Sequence, residues 1–125
     1  MPKATKILAV CEDLFFVVKI NEIARRSGLQ PEYVKTAAEL LSNAAEQTPL
    51  MIIVDLTAKS ADAVDVIQQV RAEKSLKNVS VLAFGPHVDG ELKTRAQSAG
   101  ASMVLARSAF SANLPQIFKR HGGSL

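Results

Sequence analysis

Residues 51–57 read MIIVDLT, a run of four apolar residues that ends at Asp55. A parallel strand that is covered on both faces has no solvent-facing side, so it shows an unbroken apolar run instead of alternation. Its mostly β-branched residues also favour a strand. The segment therefore predicts a central buried strand with Asp55 at its carboxyl end.

Strand-like and helix-like segments alternate on both sides of this run. Apolar runs predict four further strands, at Lys6–Val10, Pro31–Lys35, Val79–Phe84 and Ser102–Ala106. Helical spacing and terminal signals predict five helices, at Leu14–Arg26, Thr36–Ala45, Asp62–Arg71, Glu91–Ser98 and Ser111–Arg120. Thr36 is expected to cap the second helix, with Glu39 completing a capping box. Pro115 is expected in the first turn of the last helix or at a kink, not mid-helix.

This alternation predicts an α/β fold, a flavodoxin-like three-layer sandwich with helices on both faces of a five-stranded parallel sheet. The expected strand order is 2-1-3-4-5. In such sheets ligands bind beyond the carboxyl ends of the strands. Glu12, Asp13 and Asp55 follow the first and third strands, so three carboxylates are expected at one edge.

Length and composition restrict the class of protein. The 125 residues, 48% of them hydrophobic, are predicted to form a single domain over residues 1–125, with a core at 6–120 and a flexible tail at 121–125. The single cysteine, Cys11, excludes a disulfide framework within the chain, and no apolar run is long enough for a membrane span. These features predict a cytoplasmic protein. Scattered charges with a net value of +3 argue against direct binding of nucleic acid or membrane.

Four segments carry a family resemblance: KILAVCEDLF (6–15), MIIVDLT (51–57), VSVLAFG (79–85) and AGASMVLARSAF (99–110). Together they resemble the receiver domains of response regulators, chemotaxis regulators among them, over residues 6 to about 118. The resemblance implies that Asp55 is the phosphoacceptor. It also implies that Glu12, Asp13 and Asp55 hold Mg²⁺, a hard cation that prefers clustered oxygen ligands.

The chain departs from the family pattern at three positions. Cys11 replaces the first acid, Gly85 stands where the family has a Ser or Thr, and Arg107 stands where it has a Lys. A planar guanidinium does not substitute for a compact ammonium where geometry is tight. The resemblance therefore implies a degenerate receiver, a stand-alone signalling module of a two-component pathway that acts by protein–protein contact and is not an enzyme.

Two alternatives stay open. The chain is either a working receiver that is phosphorylated on Asp55 with Mg²⁺, or a non-signalling interaction subunit of a larger assembly. The resemblance implies a histidine kinase, a phosphotransfer protein or an output protein as the partner, and a homodimer is a further option. Catalytic motifs of other classes, such as GxGxxG, a P-loop or GxSxG, do not occur in the sequence. The acidic CEDLFF segment would repel the phosphate of a flavin.

Several candidate residues also have ordinary structural explanations. Asp55 is of a type that is common where a strand meets a turn. Asp13 suits the N-cap of the first helix. Cys11 fits a small inert residue at a strand end. His87, in the loop after the fourth strand, has no second ligand nearby in sequence.

The first helix starts with LFFVV (14–18), which has more apolar residues than one buried face can accommodate. At 100° per residue, Leu14, Val17 and Val18 share one side, while Phe15 and Phe16 point partly away from it. An exposed aromatic pair, Phe15 and Phe16, would mark a partner surface. Packing beneath a neighbouring helix is the other interpretation.

Overall fold

The structure, a computed structural model, describes residues 5–85 and 90–122. His87 lies outside this range, as do residues 123–125 of the predicted tail. Strands and helices alternate along the chain. They are β1 (Lys6–Val10), α1 (Leu14–Arg26), β2 (Gln30–Tyr33), α2 (Ala37–Glu46), β3 (Met51–Asp55), α3 (Ala63–Ala72), β4 (Ser80–Gly85), α4 (Gly90–Ala99), β5 (Met103–Ala106) and α5 (Arg107–Gly122), with a short 3-10 helix at Lys74–Leu76.

All five strands are parallel and lie in the order β2-β1-β3-β4-β5, as predicted. In the register of β3 and β4, Asp55 lies opposite Phe84. In the register of β4 and β5, Gly85 lies opposite Ala106, which directly precedes Arg107. The topology thus places the ends of β3 and β4 and the start of α5 at one edge of the sheet.

The core has two layers because helices cover both faces of the sheet. Along β1, Leu8 and Val10 point into one layer, and Ile7 and Ala9 point into the other. Helices α2, α3 and α4 contribute to the first layer, and α1 and α5 contribute to the second. All five residues of β1 and all five of β3 are buried, which is the physical reason for their unbroken apolar runs.

Side-chain caps fix where the helices begin. Asp13 accepts the N–H of Phe15 at 3.0 Å, and Thr36 accepts the N–H of Glu39 at 3.1 Å. The predicted capping box is incomplete, because the Glu39 carboxylate accepts the N–H of Lys35 at 3.3 Å instead of the N–H of Thr36.

The last helix begins four residues earlier than predicted and continues two residues into the predicted tail. As a result Pro115 lies inside α5, so the expectation that it would avoid mid-helix is wrong. The reason is burial: Phe110, Leu114 and Phe118 recur every four residues and are fully buried. Pro115 lies on the exposed side, where water can solvate the carbonyl that loses its N–H partner.

No helix in the described ranges 5–85 and 90–122 is long and apolar enough to cross a membrane.

Candidate functional site

Asp55 is at the centre of the candidate site, where the carboxyl ends of β1, β3 and β4 meet. Its side chain is almost fully buried, with a residue exposure of 2%. Cys11 follows β1, Gly85 ends β4, and Arg107 begins α5. The fold therefore brings together the four strand-end positions that carry the family resemblance. A buried carboxylate requires partners, because desolvation penalises its charged form.

Thr57 supplies two of these partners. Oδ1 of Asp55 accepts the backbone N–H of Thr57 at 2.9 Å and its hydroxyl at 2.8 Å. This local turn holds the carboxylate at the end of the strand. Thr57 is not among the site residues that the sequence predicts. A hydroxyl residue two positions after a strand-end Asp is the signal that would have identified it.

Arg107 links three parts of the site. Its Nη2 donates to Oγ1 of Thr57 at 3.4 Å and lies 3.9 Å from Oδ2 of Asp13. Its guanidinium carbon is 5.7 Å from the centre of the Phe16 ring, a cation–π distance. The resulting chain of hydrogen bonds runs from Arg107 through the Thr57 hydroxyl to Asp55. Arg107 Nε is buried and has no hydrogen-bond partner among the described residues.

The three predicted metal ligands do not form a cluster. Oε1 of Glu12 accepts the N–H of Lys59 at 2.8 Å, and Asp13 caps α1 and faces Arg107. Within residues 5–85 and 90–122, no group of three or more His, Cys, Asp or Glu side chains could hold a metal ion. Glu12, Asp13 and Asp55 therefore do not form the predicted three-carboxylate cluster, because capping and loop contacts hold Asp13 and one oxygen of Glu12.

Cys11, at the position of the missing acid, is a neutral group. Burial, together with a smaller contribution from the negative charge of Asp55, raises the pKa of its thiol to about 11. Sulfur is a soft ligand and Mg²⁺ prefers hard oxygen ligands, so Cys11 does not replace the ligand that an aspartate would provide. Its Sγ lies 3.9 Å from the carbonyl oxygen of Asp13.

Gly85 is not required by the backbone. It is not among the glycines with a positive φ, and a Cβ at this position would lie 3.5 Å from Cβ of Leu56, an ordinary van der Waals contact. The described residues therefore leave room for a Cβ where the chain has a glycine.

The aromatic pair of α1 divides between core and surface. Phe16 is buried, packing against Phe84 and Phe110, so its prediction as a partner-surface residue is wrong. Phe15 is 65% exposed, beside the exposed Leu14 and Val18. We call these three residues, Leu14, Phe15 and Val18, the α1 patch. The 100° rotation between neighbouring helical residues turns Phe16 into the core, while the Phe15 ring, whose centre lies 5.1 Å from that of Phe16, stays at the surface.

No protein-family model matches the sequence, and no curated protein matches it either. Solved structures do match its fold over nearly the whole chain. The receiver domain of a sensor histidine kinase from Pseudomonas aeruginosa, solved with a magnesium ion in its active-site cleft, is 21% identical with a TM-score of 0.80, covering 98% of this chain and 100% of that one. A chemotaxis protein of Vibrio cholerae is 19% identical with a TM-score of 0.81, covering 94% of this chain and 98% of that one.

A response regulator from Thermotoga maritima is 16% identical with a TM-score of 0.78, covering 98% of this chain and 100% of that one. The chain therefore has the flavodoxin-like fold of response-regulator receiver domains.

Proposed function

We propose that this chain is a receiver-like signalling module of a cytoplasmic two-component pathway that acts by binding a protein partner. In this proposal the acceptor site is degenerate. The observation that carries it is the chain of hydrogen bonds from Arg107 through Thr57 to Asp55. Arg107, at the position of the family's lysine, reaches Asp55 through the Thr57 hydroxyl and makes no direct ion pair with it among the described residues.

Two further features support a degenerate site. The neutral Cys11 thiol contributes no negative charge to a metal site, and Gly85 has no hydroxyl to bond a phosphoryl group. A site that lacks such preorganised groups loses most of the transition-state stabilisation they would supply. The module would then signal through its surface, to a histidine kinase, a phosphotransfer protein, an output protein or a second copy.

A working receiver is the second candidate, favoured by the place of Asp55 at the end of β3 and by the cationic group close to it. Mg²⁺ commonly takes one or two carboxylates and keeps several waters. In this alternative Asp55 and Glu12 would hold the ion, whose charge would offset that of the phosphoryl group.

Amide NMR with beryllofluoride and Mg²⁺, a mimic of the phosphorylated state, separates the two candidates. A degenerate site predicts no saturable shifts around Asp55 in the wild type. The variant Cys11→Asp/Gly85→Ser/Arg107→Lys restores the family pattern and serves as the positive control, and adding Asp55→Ala to it should abolish its response.

A wild type that responds, and that loses the response on Asp55→Ala, would overturn the proposal in favour of the working receiver. If only the restored variant responds, the three altered positions account for the loss of the chemistry.

A further inference from the structure

A cleft lies between the starts of α1 and α2, beyond the carboxyl ends of β1 and β2. Its volume is about 480 Å³, which is large enough for a long side chain. Its lining residues are Cys11, Glu12, Leu14, Val17, Tyr33, Val34, Lys35 and Glu39. Asp55 does not line it, so the cleft is separate from the candidate phosphoacceptor.

Two carboxylates face this cleft, and each has an oxygen to spare. Glu12 uses Oε1 to accept the N–H of Lys59, and Glu39 uses Oε1 to accept the N–H of Lys35. No residue in the described ranges donates a hydrogen bond to Oε2 of Glu12 or to Oε2 of Glu39. Lys35 is the single cation among the described lining residues, and it is exposed, as are Glu12 and Glu39, so the lining has two acids against one cation. The balance of charge in the cleft therefore favours a cationic ligand.

The walls of the cleft are apolar and aromatic. Leu14, Val17 and Val34 provide aliphatic surface, and Tyr33 provides a ring whose hydroxyl is fixed by Asn21 Oδ1 at 2.7 Å and the Val17 carbonyl at 3.2 Å. Burial raises the pKa of Tyr33 to about 12, so the phenol is uncharged at neutral pH. A ligand with a cationic head and an apolar stem satisfies both parts of this lining.

The cleft is continuous with the α1 patch. Leu14 lines the cleft and also a shallow depression of about 470 Å³ that includes Phe15 and Val18. These three patch residues are more than 60% exposed. A free small amine would fill the cleft and leave the patch in water, whereas a segment of protein could cover both.

We propose that the cleft binds an arginine side chain of a protein partner, whose neighbouring apolar residues cover the α1 patch. A guanidinium presents donors in a planar fork suited to carboxylate oxygens, such as the free ones of Glu12 and Glu39, and it can stack on a tyrosine ring. Its aliphatic stem contacts Leu14 and Val34. The inference goes beyond the proposed function, because it does not depend on the chemistry at Asp55.

The first experiment titrates the full chain with the blocked dipeptide acetyl-Phe-Arg-amide while amide NMR shifts are followed. Its control is acetyl-Phe-citrulline-amide, which has the same shape without the charge. We expect saturable shifts at Tyr33, Val34 and Lys35, with the arginine peptide binding about tenfold more tightly than the citrulline peptide. Equal binding of the two peptides, or no binding by either, would overturn the proposal.

The second experiment locates the charge recognition. Glu12→Gln and Glu39→Gln keep an oxygen for the N–H groups of Lys59 and Lys35 but remove the negative charge. Each variant should weaken binding of the arginine peptide about threefold and leave that of the citrulline peptide unchanged. Glu46→Gln, at the far end of α2, is the matched control and should have no effect. If the arginine peptide binds Glu12→Gln and Glu39→Gln as tightly as it binds the wild type, its site lies elsewhere and the proposal fails.

Discussion

Thr57 holds Asp55 by two hydrogen bonds to the same oxygen, one from its backbone N–H at 2.9 Å and one from its hydroxyl at 2.8 Å. The hydroxyl also accepts a hydrogen bond from Arg107, so a single side chain connects the acid at the end of β3 with the cation at the start of α5. This relationship makes Thr57 the residue through which the candidate site is organised.

Thr57→Val removes the hydroxyl with little change in shape. We expect the free energy of unfolding to fall by about 1 kcal/mol, because a buried carboxylate loses one of the two hydrogen bonds that it accepts from Thr57. Urea denaturation measures this change. The control variant Thr57→Ser, which keeps the hydroxyl, should lose much less stability than Thr57→Val. Equal stability of the Val variant and the wild type would show that the hydroxyl contributes nothing to holding Asp55.

The two aromatic residues at the start of α1 should respond differently to truncation. Phe16→Ala removes a ring whose centre lies 5.0 Å from that of Phe84 and 5.8 Å from that of Phe110, so we expect a loss of about 3–5 kcal/mol. Phe15→Ala removes an exposed ring and should cost less than about 1 kcal/mol. Thermal or urea unfolding of the pair tests the assignment, and a Phe15 variant as unstable as the Phe16 variant contradicts it.

Much of the fold could be predicted because its signals are local. The apolar runs of β1 and β3 and the cap residues Asp13 and Thr36 appear in the sequence as they appear in the structure. The predicted ends of a strand differ from the observed ends where pairing with another strand sets them. Strand β2 begins at Gln30 and ends at Tyr33, not at Pro31 and Lys35, because its register is set by pairing with β1.

The site was less predictable, because its contacts join distant parts of the chain. The positions of Asp55, Gly85 and Arg107 at the strand ends follow from the alternation of strands and helices. The bond between Arg107 and Thr57 joins residues 50 positions apart, and no local pattern indicates it. Helical spacing alone did not show that neighbouring helices would bury Phe16 and leave Phe15 exposed.

Two glycines with positive φ differ in the space around them, which makes them a matched pair. At Gly100, with φ of +120°, a Cβ would collide with Cγ of Arg71, which is held by bonds to the Gly100 and Val79 carbonyls at 2.7 and 2.8 Å. At Gly28, with φ of +74°, a Cβ would meet nothing within 4 Å.

Gly28→Ala should therefore cost only the backbone strain, about 1–2 kcal/mol. Gly100→Ala should cost about 3 kcal/mol or more, because a φ of +120° lies outside the left-handed helical region and is more strained for alanine, and because the Cβ also displaces a charged hydrogen-bond donor. Urea unfolding of the two variants measures the difference. Equal losses would mean that Arg71 moves aside without losing its bonds.

The Cys11 thiol should make the protein less stable at alkaline pH. Burial, with the charge of Asp55, raises the pKa of this thiol from 9.0 to about 11 in the folded chain. Between these values the folded state keeps a proton that the unfolded state has lost. The contribution to stability is thus complete below pH 9.0 and is lost as the pH rises to about 11.

Cys11→Ala removes this proton linkage. Urea unfolding at about pH 8, 9 and 10 should show a smaller decline for the variant than for the wild type, by up to about 1.4 kcal/mol per pH unit near the upper end. The slope is the readout, because the small cavity left by the substitution lowers stability equally at every pH. Tyr33, whose pKa is raised to about 12, contributes a similar decline to both proteins at higher pH and so largely cancels in the comparison. Parallel curves for the two proteins would show that the thiol ionises in the folded chain as readily as in the unfolded one, so that its environment does not raise its pKa.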